Sequence, residues 1–450
     1  MAAGLGKRMH SALPKMLHPV AGQPLVAHVL TAARSLQPAA IVVVIGHGGE
    51  RVQAALAAPD MRFVVQDPPN GTGDAVRVAL TALPHEGVTV VVNGDCPLLP
   101  AATMSALAAV AARGRLAVLT ANAADPSGLG RIVRAPDGSV RAIVEHRDAT
   151  PEQRAIGEIY TGVLAAPTAL LAAWVAKLVP HNAQNEYYLT DVVTLALADG
   201  VPVEAHVAED ANVALGVNDR AQLAAVERIV QRRRADALMI AGTTLADPDR
   251  IDIRGNLGSG RDVSIDVGCV FEGEVTLGDG VEVGAYCVLR NVTIGIGTRI
   301  APYSHLDGAA IGARCIVGPY ARLRPGTSLA DDVHIGNFVE VKATTIGNGS
   351  KANHLTYLGD STIGAGVNVG AGVITCNYDG ANKHRTVIED GAFIGSDAQL
   401  VAPVTVGRNA TLGAGTTLTR DAPAGALTVS RAKQISVAGW TRPVKKTKTE

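Results

Sequence analysis

Apolar residues follow two different periods, and the change between them divides the chain. Up to about Ala211, short unbroken aliphatic runs alternate with helix-length stretches. Ile41 to Ile45 in "AAIVVVIGHG" reads as a buried strand ending in a loop. "GVTVVVNGD" repeats the form and ends at Asp95, and "RLAVLTAN" is a third run. Leu25 to Leu36 and Thr103 to Arg113 read as helices. Runs of β-branched residues without polar alternation suit a parallel sheet covered on both faces. The pattern predicts an open α/β sandwich, whose ligands sit beyond the C-terminal ends of the strands. Asp95 and the opening loop fall there.

In "NDRAQLAAVERIVQRRRADALMIAG", Leu223, Val226, Ile229 and Val230 recur at helical spacing, and Leu238 follows a basic segment. This predicts one helical arm, with Arg232, Arg233 and Arg234 on a solvated face. After Asp252 the period becomes six. Leu277, Val283 and Leu289 begin it, and Ile294, Ile300, Leu306, Ile311, Val317, Leu323, Leu329, Ile335 and Val341 carry it on. It returns after an interruption as Ile388, Ile394, Leu400, Val406, Leu412 and Leu418. Six does not fit a helix. It fits a parallel β-helix in which each hexad makes one flat face and three make a coil. The aliphatic side chain points inward, and the glycines that often follow are expected to help the chain turn each corner.

A solenoid is mostly scaffold, so chemistry belongs where its pattern breaks. One break is "CNYDGANKHRT", Cys376 to Thr386. The others are "RLRPG", "NFVEVK" and "SKANHLTYLGD", which hold Arg324, Asn337, Glu340, Lys342, Lys351, His354 and Tyr357.

Composition narrows the class. At 450 residues the chain is long for one domain. With 40 basic and 41 acidic side chains, it has no general pull on nucleic acid or an anionic membrane. Cys96, Cys269, Cys287, Cys315 and Cys376 are odd in number and widely spaced, without a CxxC pair. That pattern points away from zinc or a disulfide framework and towards a reducing compartment, the cytoplasm by default. No run approaches the ~18 apolar residues of a membrane span.

The chain opens on "MAAGLGKRM", a glycine-rich loop with Lys7 and Arg8. Backbone N–H groups beside cations suit a triphosphate, although the loop does not fit GxxxxGK[ST]. Asp95 follows an apolar strand and a glycine, a place for a Mg²⁺ carboxylate or for a helix cap. In the second half, His354 is the natural base for forming an amide from a thioester. Glu340 could orient it, as a carboxylate does in a triad, or form a salt bridge with Lys342 or a neighbour. Arg324, Lys342 and Lys351 suit a sugar phosphate.

The motifs "AAGLGKRM", "LPKMLHPVAGQPL", "NGTGDAV", "NGDCPLL", "GLGRIV", "IVEHRDAT" and "LGVNDR" stand in the first half. The hexads with "RLRPG", "GNFVEVK", "GSKANHLTYLGD", "ITCNYDGANK" and "GSDAQLVAPVTVG" stand in the second. Together they resemble the bifunctional GlmU family, across essentially the whole chain. The resemblance implies a Rossmann-like α/β uridylyltransferase domain at 1–218, a helical linker at 219–241 and a left-handed β-helix acetyltransferase domain at 242–450. It implies acetyl transfer from acetyl-CoA to glucosamine 1-phosphate, then uridylyl transfer from UTP to N-acetylglucosamine 1-phosphate, supplying cell-wall and lipopolysaccharide precursors. Mg²⁺, a cytoplasmic location and a homotrimer with sites between subunits follow from it.

Carried over residue by residue, the uridylyl side maps onto Ala2, Ala3, Gly4, Lys15, Gln66, Gly71, Thr72, Asn93, Gly94 and Asp95, with Gly130, Glu145, Tyr160 and Asn218. Asp95 and Asn218 would hold the metal, and Lys15 would offset charge at the α-phosphate. Arg324, Lys342, Tyr357 and Asn368 would hold glucosamine 1-phosphate. Ala371, Asn377, Tyr378, Ser396, Ala414 and Arg431 would line the acetyl-CoA side, with His354 as base and Glu340 beside it.

The family usually has Asn at Tyr160, Tyr at Asn93, His at Asp74 and Gly at Asn185. It also places an apolar strand directly before "AAG". A chain starting inside the true protein, with a poorly held UTP site, is therefore expected. The alternative activity is acetyl transfer alone, above a degenerate nucleotide-binding domain.

Overall fold

The computed structural model describes residues 1–4, 6–46 and 49–445. Leu5 of the opening loop and the end of the tail, 446–450, lie outside the described residues. The chain forms two compact units, Met1–Arg234 and Ala235–Glu450.

The first unit runs through α1 (Leu25–Arg34), β1 (Ile41–Ile45), β2 (Met61–Val65), α2 (Thr72–Leu80), β3 (Val88–Val91) and α3 (Ala101–Ala111). Then come β4 (Leu116–Asn122), β5 (Arg131–Arg134), β6 (Val140–Val144), β7 (Glu158–Pro167), α4 (Thr168–Ala176) and β8 (Val203–Val207). The sheet is mixed rather than parallel. β8 joins β4 in parallel, but β7 lies antiparallel to β3, β4 and β5. A strand buried on both faces is apolar throughout whichever way it runs, so the aliphatic runs carry no information on direction.

β1 and β2 form a separate parallel pair. Between β1 and β3 lies an apolar cavity of about 210 Å³, walled by Val42, Val44, Val90, Leu30, Val76 and Leu80. At its end, Ala2 N donates to Val44 O and Gly94 N donates to Met1 O, both at 2.8 Å. The opening loop is thereby pinned to the C-terminal ends of β1 and β3. The long helix α5 (Arg220–Ile240) packs Val226 and Val230 with Met9, Val20, Leu25 and Leu98 of the first unit.

In the second unit the hexads align in three parallel columns. Val283, Ile300, Val317, Ile335, Ala352, Val369, Ile394 and Leu412 pair successively on one face. Leu277, Ile294, Ile311, Leu329, Ile346, Ile363, Ile388 and Val406 do so on another. These residues are buried in one continuous core, where each Val, Leu or Ile side chain contributes about 1.5–3 kcal/mol by leaving water. Successive hexads forming parallel faces are the architecture of a left-handed β-helix.

The glycines after the aliphatic positions do not turn the corners. They let the coils approach: a Cβ at Gly295 would lie 2.5 Å from the Gly312 carbonyl carbon, and one at Gly312 2.6 Å from Ala330. Left-handed φ falls instead on other glycines, such as Gly280, Gly297 and Gly366, and on several larger residues, among them Tyr286, Tyr303, Tyr320 and Phe338, at φ 60°, 61°, 55° and 56°. Their rings stack at 5.3, 5.0 and 5.4 Å. Stacking worth about 0.5–1.5 kcal/mol a pair offsets part of a left-handed cost of about 1–2 kcal/mol a residue.

Candidate active sites

In the first unit Lys15 is buried, and its Nζ lies 2.5 Å from Asp95 Oδ2 and 3.1 Å from Asn218 Oδ1. Three stretches, 80 and 203 residues apart from Lys15, thus meet at one cation. Gly6 makes this possible: it takes φ 57°, and a Cβ there would sit 2.7 Å from Lys15 Cβ. Gly4 lies beside the same side chain. Asp95 follows β3, and Val217 N donates to its carbonyl at 3.0 Å, which seats Asn218.

Two oxygen acceptors, Asp95 Oδ2 and Asn218 Oδ1, thus converge on one positive charge. Mg²⁺ takes one or two protein oxygens together with phosphates and water, so Asp95 and Asn218 fit it. Among the described residues, no three His, Cys, Asp or Glu side chains gather as a metal site.

Gln66, Gly71 and Thr72 come together at the start of α2. Gln66 Nε2 donates to Gly71 O and to Asp74 Oδ2, both at 2.9 Å. Thr72 Oγ1 accepts from Leu189 N at 3.1 Å. Asp74, where the family has His, is absorbed by Gln66 and Arg77. Asn185, where the family has Gly, takes φ 54°, a region asparagine tolerates better than most residues.

Gly130, Glu145 and Tyr160 form a third group. Tyr160 N donates to Gly130 O at 2.8 Å, and a Cβ on Gly130 would lie 3.6 Å from the Glu145 carboxylate. Burial pushes the Glu145 carboxyl up, against a hydrogen bond from Thr190 at 3.3 Å. The Tyr160 hydroxyl is buried without a protein partner, and burial and then the Glu145 charge push it up. Asn93 lies against Gly162, whose absent side chain leaves room for its amide.

In the solenoid, register builds the sites. Asn337 pairs with His354 on adjacent strands. Successive backbone bonds then stack Asn337, His354, Ala371, Ser396 and Ala414 along one corner: Leu355 N to Asn337 O, Gly372 N to His354 O, Asp397 N to Ala371 O and Gly415 N to Ser396 O. Arg431 lies against Gly413 and Gly415, at the end of that column. His354 is exposed, and its Nδ1 meets Asn337 Oδ1 at 2.9 Å.

Glu340 is engaged elsewhere. Its Oε1 accepts from Arg324 at 2.8 Å, and Arg322 lies 3.7 Å from Oε2. The structure thus gives Glu340 the ion-pair role, with Arg324 rather than Lys342, and gives His354 a different partner.

Lys342 pairs with Asp360 at 3.1 Å, and Asn377 donates to the same carboxylate and to Tyr357 Oη. Burial raises the Asp360 carboxyl, but hydrogen bonds from Lys342 and Asn377 outweigh it and hold the group low. Lys383 stands beside Lys342, which pulls its ammonium down. Tyr378 is exposed on the ordered Asn377–His384 turn, where Asp379 Oδ2 meets His384 Nε2 at 2.6 Å. Asn368 pairs with Lys351 one strand away.

Sequence reasoning missed Asp360 and Lys383. Asp360 was within reach, since it lies one 18-residue coil after Lys342. Lys383 sits in the inserted loop, where no register applies.

An α/β unit that gathers a lysine, a carboxylate and an amide at its strand ends, joined to a hexapeptide solenoid bearing an exposed histidine, defines a nucleotidyltransferase fused to an acyltransferase. Residues 1–184 match the MobA-like NTP transferase domain, 253–351 the GMPPB C-terminal domain, and 385–420 six repeats of the bacterial transferase hexapeptide. A "Bifunctional protein GlmU" of Ralstonia nicotianae is 59% identical over 449 residues, covering 100% of this chain and 98% of the relative. Those of Cupriavidus pinatubonensis and Bordetella parapertussis are 59% and 58% identical, over 99% and 98% of their own lengths and 100% and 99% of this chain. The chain belongs to the GlmU family.

Proposed function

We propose that the chain makes UDP-N-acetylglucosamine in two steps, with 242–450 as the acetyltransferase, 1–218 as the uridylyltransferase and 219–241 as the helical linker. The observation that carries this reading is the separate polar site on each unit: Lys15 between Asp95 and Asn218, and His354 beside Asn337 on the solenoid.

In the first step, the amine of glucosamine 1-phosphate attacks the thioester carbonyl of acetyl-CoA. His354 Nε2 takes the amine proton, the carbon–sulfur bond breaks, and the coenzyme A thiolate leaves to be protonated. Arg324, Lys342, Tyr357 and Asn368 bind the sugar phosphate. An anion beside Lys342 and Lys383 relieves the repulsion that pulls Lys383 down. The column Ala371, Ser396 and Ala414, with Asn377, Tyr378 and Arg431, takes acetyl-CoA.

In the second step, a phosphate oxygen of N-acetylglucosamine 1-phosphate attacks the α-phosphorus of UTP, and pyrophosphate leaves. Ala2, Ala3, Gly4, Gln66, Gly71 and Thr72 hold the nucleotide, and Asn93, Gly94, Gly130, Glu145 and Tyr160 position the sugar. Lys15 neutralises charge at the reacting phosphate. Mg²⁺ on Asp95 and Asn218, when bound, supplies further neutralisation and orients the triphosphate.

The family relationship and the intact Lys15, Asp95, Glu145 and Asn218 favour both activities over acetyl transfer alone. No helix among the described residues is long and apolar enough to cross a membrane. A homotrimer through the solenoid, acting on small molecules in the cytoplasm, completes the reading.

Two assays on one purified sample test it. N-acetylglucosamine 1-phosphate should appear from acetyl-CoA and glucosamine 1-phosphate, and UDP-N-acetylglucosamine from UTP with Mg²⁺. Absence of either product above background removes that half, and light scattering at the monomer mass removes the trimer.

A further inference from the structure

Asn337 Oδ1 and His354 Nδ1 lie 2.9 Å apart, in register on strands His334–Asn337 and Lys351–His354. An amide oxygen only accepts, so Nδ1 carries the ring proton and donates it. Nε2 is then the nitrogen with the free lone pair. The backbone below is held as well, by Thr356 Oγ1 donating to His354 O at 2.7 Å.

An amide at this position differs from a carboxylate in one respect. It fixes the ring without adding negative charge. A carboxylate would stabilise the imidazolium and hold the base protonated to higher pH.

The same two strands carry two further basic side chains. His334 lies on the strand beside it and Lys351 on its own strand. Burial, then Lys351, Arg299 and His354, pull the His334 imidazole down. On the opposite side the coil runs through Gly370, Ala371 and Gly372, which carry no titratable side chain. The two strands beside the ring, His334–Asn337 and Lys351–His354, thus carry cationic or neutral side chains and no carboxylate.

We propose that Asn337 is the positioning residue of the acetyl-transfer site. It locks His354 in the Nδ1–H tautomer and leaves Nε2 unprotonated to accept the amine proton. The inference rests on His354 as the base.

The test uses full-length Asn337→Ala, Asn337→Asp and His354→Ala, with kcat and KM for acetyl transfer measured across pH. Asn337→Ala should lower kcat about 10–100-fold, the scale of losing an orienting hydrogen bond, with both KM values within about twofold. Asn337→Asp should recover most of kcat but move the acid limb of the profile up by about 1 pH unit. That recovery separates lost orientation from a collapsed coil, and the shifted limb is a change that a packing role would not produce.

Unchanged kcat in Asn337→Ala, or an unmoved acid limb in Asn337→Asp, overturns the proposal. If His354→Ala keeps acetyl transfer, the base assignment falls and takes this inference with it. An inactive His354→Ala beside a normal Asn337→Ala removes the positioning role alone.

Discussion

The two units place their polar groups by different rules. In the solenoid, away from the inserted loop, adding 17 or 18 to a residue number reaches its neighbour on the next coil: Arg324 leads to Lys342, and Lys342 to Asp360. In the α/β unit, Lys15, Asp95 and Asn218 meet from across the whole unit, and no arithmetic on the chain brings them together. The interiors differ too. Each inward aliphatic residue of the solenoid meets a like residue on the next coil, whereas the α/β unit leaves about 210 Å³ open between two strands. A repeating fold determines both its core and its site by register, and a mixed sheet determines neither that way.

The sharpest way to break this comparison is to remove one charge-handling group from each unit. His354→Ala should lower acetyl transfer about 10²–10⁴-fold, the usual contribution of a positioned base, and leave uridylyl transfer unchanged. Lys15→Ala should do the reverse, lowering uridylyl transfer about 10²–10³-fold while sparing acetyl transfer. Steady-state assays of both reactions on each variant check this. A variant that loses both activities would show that the sites do not act independently.

The same contrast explains what could be read in advance. The hexad period places nearly every core residue of the solenoid, because each apolar position repeats one contact. It also brings "NFVEVK" and "SKANHLTYLGD" to adjacent coils. The same register gives the partner of His354, since Asn337 lies 17 residues before it on the adjacent strand. Side-chain direction is what register leaves out: Glu340 falls opposite Tyr357, yet its carboxylate turns to Arg324. The role of the glycines is hidden for a related reason. A glycine needed for close coil approach and one needed for a left-handed turn look alike in a sequence, and here both occur: Gly295 and Gly312 serve approach, while Gly280 and Gly297 take left-handed φ as the tyrosines do. In the α/β unit the strands are legible but their directions are not, and the convergence on Lys15 enters only through resemblance.

A smaller effect should distinguish the two interiors by sign. Ala79 borders the cavity, whereas Ala410 is fully buried among packed coils. Ala79→Leu adds apolar atoms to empty space and should stabilise the first unit by about 0.5–2 kcal/mol. Ala410→Leu must push neighbouring coils apart and should destabilise the solenoid by about 1–3 kcal/mol. Thermal unfolding of the two variants, followed with probes in each unit, reads both signs. Equal destabilisation would mean that the cavity is not space a side chain can use.

The smallest effect concerns Glu145, where function and stability should oppose each other. Burial raises its carboxyl, with Asp148, Asp191 and Glu186 adding to the rise and Thr190 opposing it. A carboxyl whose pKa is raised on folding favours the native state in its protonated form. That contribution is fully present below the unfolded pKa and is lost as pH rises through the folded one. At neutral pH the ionised group therefore opposes folding. Glu145→Gln keeps the shape and removes the charge, so it should raise the melting temperature of the first unit at pH 7–8 by no more than about 2–4 °C. The gain should shrink as pH falls and vanish below about pH 4, where the wild-type carboxyl is protonated in both states. The same variant should bind N-acetylglucosamine 1-phosphate less well, since the amide cannot replace a carboxylate acceptor on both oxygens. Melting curves across pH, beside KM for that sugar, check the pair. A melting temperature that falls at neutral pH would show that Glu145 holds the fold rather than the substrate.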